Sequence, residues 1–175
     1  MMISKLSPQQ ISLLSTTIIS GLSTTDLLSL SATQVGAISA AGIGSLTTTE
    51  ASTLTTTQVK GLQATQLPSL TNILSFNGPQ LQAFSSSQIQ NLTTTQISGL
   101  APTQLGAFAP GQVGAFTAAD LASLTTTQFG AISTTQVPGL TTTQIKGLNA
   151  TDNTALTAGQ IGALSAAQVG AFSTT

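Results

Sequence analysis

A period of eight residues runs through the chain and leaves little freedom in how it can fold. Counted from the first large apolar residue of each unit, octads begin at Leu6, Leu14, Leu22, Leu30, Ile38, Leu46, Leu54 and Leu62. A unit of six follows, Leu70 to Ser75, and the period resumes at Phe76 and runs through Leu164. Twenty octads and one hexad leave only five leading residues and four trailing ones, Phe172 to Thr175. A short period sustained over a whole chain marks a repeat architecture, in which one small unit is stacked many times. The expectation is a single octapeptide-repeat solenoid over residues 1–175, shortened at 70–75.

The unit reads LTTTQVKG from Leu54 and LTTTQIKG from Leu140. Position 1 is Leu, Phe or Ile, and position 2 is Ser, Thr or Asn in all octads but three. Position 5 is Gln, Asp or Glu in 18 of 20, and position 6 is large and apolar in 18 of 20. These are the parts of a capped helix start. A Ser or Thr at the N-cap accepts the N–H of residue N3, a Gln or Glu at N3 accepts the N-cap N–H, and apolar residues at N′ and N4 pack together. All four acids, Asp26, Glu50, Asp120 and Asp152, sit at position 5, where a carboxylate is favoured by capping and by the helix dipole. Pro8, Pro102 and Pro110 occupy position 3, the first helical residue, whose N–H has no intrahelical use.

Each helix must then be short, because the next apolar N′ residue follows at once. Gly36, Gly61, Gly99, Gly114 and Gly170 near the unit's end are expected to permit a left-handed or irregular stop. Pro68 and Pro138 at position 7 also forbid a long helix. A continuous helix fails on geometry: apolar spacings of five and three drift the stripe by about 80° per octad at about 100° per residue. The predicted fold is therefore all-α, a solenoid of about twenty very short capped helices. The alternative is a β-solenoid, which Thr and Val favour; it needs a corner inside every octad, since odd spacings send positions 1 and 6 to opposite faces of a strand. One octad cannot stand alone, because two apolar side chains and one cap do not offset the ordering of eight residues, so stability must come from stacking.

Composition narrows function. Three Lys and four acids are the only charged side chains, and His, Cys, Trp and Tyr are absent. Without His or Cys there is no ordinary neutral-pH base, thiolate nucleophile or zinc site, so the chain is read as not an enzyme, with no metal and no cofactor. A net charge of −1 cannot neutralise a run of phosphates, which argues against nucleic acid. No run of 18 apolar residues suggests a membrane span, and no Sec-type signal is visible at the start. Low net charge weakens the repulsion that keeps copies apart.

The ends carry a complementary phase. Ile3 falls at position 6 and Met2 at position 5, while Phe172 is position 1 and Thr175 position 4. Placed end to end, two copies would complete one split octad, with Ser173 capping a turn that carries Ile3. The expected head-to-tail interface is Met2, Ile3, Leu6, Phe172, Ser173, Thr174 and Thr175. A heterologous contact of this kind need not close, and its natural product is an open filament. Lys5, Lys60 and Lys146 read as solvated charges, and the Phe residues as stacked core. The hexad at 70–75, which lacks the position 5 Gln, reads as a local kink or as a bend or lateral contact. Thr runs such as 47–49, 93–95 and 141–143 offer outward hydroxyls, interrupted in a helical unit because capping consumes the first of each three.

The L-[ST]-x-x-Q-[IV]-x-x octads resemble the Thr/Gln-rich octapeptide-repeat tracts of proteobacterial surface or secreted adhesin-like proteins. The resemblance spans the whole chain, transfers no functional residue, and implies an extracellular or cell-surface location, with the cytoplasm left open. The expected function is a structural subunit that assembles head to tail with itself into an extracellular filament, for attachment or matrix. The alternative is a Thr-rich module that binds ice, a glycan or a mineral surface.

Overall fold

The structure, a computed structural model, describes residues 3–172. Among the described residues the fold is all-α, with eighteen α-helices of four to six residues, four 3-10 helices and no strand. The β-solenoid is thereby set aside. The predicted caps form as the sequence requires. Thr55 is extended (φ −70°, ψ 158°), its Oγ1 accepts the Gln58 N–H at 3.2 Å, and Gln58 Oε1 accepts the Thr55 N–H at 2.9 Å. The same reciprocal pair closes Ser7 with Gln10 and Thr125 with Gln128. Ala101 and Ala109 have no side-chain oxygen to offer, yet their N–H groups still reach Gln104 and Gln112 Oε1 at 2.9 and 2.8 Å.

The helices do not stop as expected. None of the described glycines has a positive φ. The chain instead leaves each helix through ordinary right-handed geometry, as at Gly114 (φ −65°, ψ −14°), or directly into the extended next N′ residue, as at Leu62 (φ −61°, ψ 133°). At corners such as Ile38 and Ser39, two consecutive extended residues, N′ and N-cap, make the corner. Pro68 and Pro138 hold their units to the three-residue 3-10 helices Leu67–Ser69 and Val137–Gly139.

The chain forms two compact units, Met1–Leu92 and Thr93–Thr175, each built by one stacking rule in which a helix lies on the helix three octads before it. In the first unit, Pro8–Ser12 packs on Ala32–Ala37 and that helix on Thr56–Gly61; a second column is Thr16–Ser20, Ala40–Gly44 and Leu67–Ser69; a third is Thr24–Leu28, Thr48–Thr53 and Thr71–Ser75. In the second unit, Thr94–Ser98 packs on Ala118–Ala122, then Thr142–Lys146, then Ala166–Ala171, and Pro102–Leu105 packs on Thr126–Gly130 and then Ala150–Ala155.

At Gly61 and Gly139 glycine serves this stacking. A Cβ at Gly61 would overlap the Ala32 carbonyl, and one at Gly139 would overlap the carbonyl of Pro110, so neighbouring turns touch backbone to backbone there. Position 6 fills the centre: in the first unit every such side chain from Ile11 to Ile89 is at most 1% exposed. Successive position 1 rings meet beside it, Phe76 stacked on Phe84 at 5.8 Å and Phe108 edge-on to Phe116 at 5.3 Å.

Position 5 ties one turn to the next. Gln58 Nε2 donates to the carbonyls of Leu30 and Leu27 at 2.9 and 2.7 Å, 28 and 31 residues earlier. Gln136 does the same to Phe108 and Leu105 at 2.7 and 2.9 Å. Both glutamines thus accept the cap N–H of their own unit with Oε1 and hold the previous turn with Nε2. The hexad keeps this ladder rather than breaking it. Asn72 Nδ2 donates to the Leu46 carbonyl, and Ile73 fills the core row, so the two missing residues come from between positions 1 and 5, and the side-chain cap goes with them. Gln80 and Gln88 then reach Leu54 and Leu62 26 residues back, the same three units at the shortened count. The Asp120 side chain has no N–H to donate, and the bond reverses: Thr94 Oγ1–H donates to its Oδ1 at 2.8 Å.

Candidate assembly surface

The ladder runs out at the first turn of the first unit and the final turn of the second. In the second unit the position 6 row is at most 1% exposed from Ile97 to Ile145, but Ile161 and Val169 are each 47% exposed. They line an apolar groove of about 190 Å³ with Asn153, Leu156, Leu164 and Phe172. Five of the six are core positions of the last three octads, and Phe172 is position 1 of the trailing four residues. Asn153 stands where a large apolar residue is usual, and its Oδ1 is buried without a hydrogen-bond partner among the described residues. The carbonyls of Asn153 and Leu156, which the ladder would use, receive no glutamine amide among the described residues.

At the first turn, position 5 holds Gln10, Ile18 and Asp26. Gln10 Oε1 accepts the Ser7 N–H at 2.8 Å, while its exposed Nε2 donates to no protein atom among the described residues. Ile18 and Leu28 are 44% and 47% exposed, and Leu13, at 85%, projects from the end of its octad. Asp26 accepts the Ser23 hydroxyl at 2.7 Å and the Ser23 N–H at 3.4 Å, and these bonds hold its carboxyl below its ordinary pKa.

The expected interface residues fall into two groups. Ile3 is buried in the 3-10 helix Ile3–Lys5, Leu6 is half-buried with its carbonyl accepting Gln34 Nε2 at 2.7 Å, and Phe172 is half-buried on the groove wall. Met2, Ser173, Thr174 and Thr175 lie outside the described residues. Sequence reasoning missed Ile161, Val169, Leu156, Leu164 and Asn153, and missed Gln10 and Ile18. The signals were present as exceptions: Asn153 breaks position 6, and Ile18 breaks position 5.

Elsewhere the surface is hydroxyl-rich. Thr56 and Thr57, Thr126 and Thr127, and Thr142 and Thr143 are exposed, while the preceding Thr in each case accepts a helix N–H. Lys5, Lys60 and Lys146 are exposed. Among the described residues no group of three or more metal-ligating side chains occurs, and no helix is long and apolar enough to cross a membrane. Such an arrangement offers apolar area, backbone acceptors and amide donors, which is the chemistry of packing.

Residues 107–150 match the family model of the ALTTAQ repeat, which covers the octads from Phe108 through Leu140. A search of the curated proteins finds no match.

Proposed function

We propose that this chain is a structural repeat protein whose copies associate head to tail, the final turn of one against the first turn of the next, to build a filament outside the cell for attachment or matrix. The observation that carries this reading is the half-exposure of Ile161 and Val169 in a row that is buried from Ile11 through Ile145. Apolar core positions left open favour a partner with the same repeat, since only a stacked octad presents the matching row. The low net charge of −1 supports close association of copies. The resemblance to surface-protein repeat tracts supports the external location. No catalytic step belongs to this reading, and self-association requires no metal or cofactor. The test is sedimentation velocity of the purified chain over a concentration series, with electron microscopy of the same samples. Growth into uniform thin polymers supports the reading, and a monomer at every concentration rejects it.

A second reading, a binding module for ice, a glycan or a mineral surface, is favoured by the exposed Thr pairs at 56–57, 126–127 and 142–143. It predicts surface binding by the monomer, lost when these pairs are changed to Ala.

A further inference from the structure

We propose that the contact between copies has one register, set by the glutamine ladder: Gln10 Nε2 of one copy donates to the carbonyls of Leu156 and Asn153 of the second copy, and Ile18 seats against Leu164 and Ile161 of that copy. This rests on the head-to-tail reading above and specifies its interface.

The register follows from which helices are already covered. In the second unit Thr142–Lys146 is packed by Ala166–Ala171, whereas no described helix follows to cover Ala150–Ala155, Ala158–Gly162 and Ala166–Ala171. The first unit begins with Ile3–Lys5, the tail of an octad whose Ile3 holds position 6, followed by Pro8–Ser12 and Thr16–Ser20. Three seatings are conceivable. Shifting the incoming copy one octad back places Ile3–Lys5 on Thr142–Lys146, a site already filled. Shifting it one octad forward leaves Ala150–Ala155 and the Asn153 end of the groove bare. The remaining seating places Ile3–Lys5 on Ala150–Ala155, Pro8–Ser12 on Ala158–Gly162, and Thr16–Ser20 on Ala166–Ala171.

In that seating the ladder rule assigns the partners. A position 5 amide reaches the position 1 carbonyl of the octad three units back and the position 6 carbonyl just before it, as Gln58 reaches Leu30 and Leu27. Among the described residues Gln10 Nε2 has no acceptor, and the carbonyls of Leu156 and Asn153 have no donor. One octad on, the position 5 residue is Ile18 rather than Gln. It meets the apolar wall of Leu164 and Ile161, where a hydrocarbon side chain replaces an amide without leaving a donor unpaired. Exposed Ile18 and the open groove thus cover each other.

The test exploits a chain with no cysteine. Ile18→Cys and Leu164→Cys single variants are mixed and oxidised, and disulfide-linked heterodimer is followed on non-reducing gels; off-register mixtures pair Ile18→Cys with Leu156→Cys or with Phe172→Cys. Disulfides require Cα atoms within about 7 Å, closer than adjacent packed helices stand. The proposal predicts cross-linking about tenfold faster for the in-register pair. Faster cross-linking of an off-register pair overturns the register while leaving head-to-tail association standing. Absence of any association by the unsubstituted chain overturns both. Gln10→Glu, an exposed substitution that retains the cap oxygen, is the second variant: about tenfold weaker association with an unchanged circular dichroism spectrum is expected, and unchanged association overturns the proposal.

Discussion

Gln144 donates its Nε2–H to the carbonyl of Phe116 at 2.6 Å, 28 residues earlier, while its Oε1 accepts the Thr141 N–H at 2.6 Å. One buried amide therefore closes a helix and fastens a turn. A carboxylate at the same place can do the first and not the second, because it has no hydrogen to donate. Capping alone favours acids at this position, yet glutamine holds it in 14 of 20 octads and acids in four. The inter-turn bond explains that preference.

Replacing Gln144 or Gln58 with Glu is expected to destabilise the fold by about 3 kcal/mol, since it removes two bonds to carbonyls and buries a charge against them. Urea unfolding at neutral pH measures this. A loss no larger than that of an exposed Gln9→Glu variant would show that the ladder is not a stability element.

The reverse change is expected at Glu50. This buried carboxylate accepts the Thr47 N–H and hydroxyl at 2.7 and 2.9 Å but has no amide to donate across the turn. Glu50→Gln is expected to add about 1 kcal/mol, or about 2–4 °C in Tm, read by thermal unfolding.

Two classes of glycine should respond in opposite directions. Gly139→Ala drives a methyl into the Pro110 carbonyl and is expected to destabilise by about 2 kcal/mol or more, whereas Gly111 and Gly130 have open space where a Cβ would stand. Ala at either of the latter is expected to stabilise by roughly 0.5–1 kcal/mol, through lower chain entropy in the unfolded state. Chemical denaturation of the three variants in parallel separates the classes.

How much was legible follows from which interactions are local. The octad phase, the cap at Thr55 and Gln58, the helix starts at Pro102 and Pro110, and the buried role of positions 1 and 6 are contacts within one unit, and the residue pattern states them directly. Gln58 to Leu30 joins residues 28 apart, and nothing within one octad encodes how many octads make a turn. The glycines were misjudged for the same reason: Gly61 looks like a stop when read locally, and its real constraint is Ala32 in the preceding turn. Asn72 was hidden because a hexad aligned from its start puts it at position 3, whereas its amide acts as position 5. A bias for Gln over Glu at a capping position was the one local sign of the ladder.

Asp26 gives the fold an acid-sensitive contact. Its hydrogen bonds with Ser23 lower the carboxyl pKa in the folded state, so their contribution is present above the unfolded pKa and is lost as pH falls through the folded one. The Tm difference between the wild type and Asp26→Asn is therefore expected to shrink as pH is lowered from about 6 to about 3. A difference that stays constant over that range would contradict the assignment.

The most direct test of the central claim, that the rule stacking turn on turn also stacks copy on copy, is electron microscopy paired with sedimentation of an Ile161→Ser, Val169→Ser variant. Both side chains are half exposed and lie in the last two octads, so the helical signature should persist. The account predicts polymers from the wild type and monomers from the variant at equal concentration. Polymers of the same length and abundance from both would contradict it.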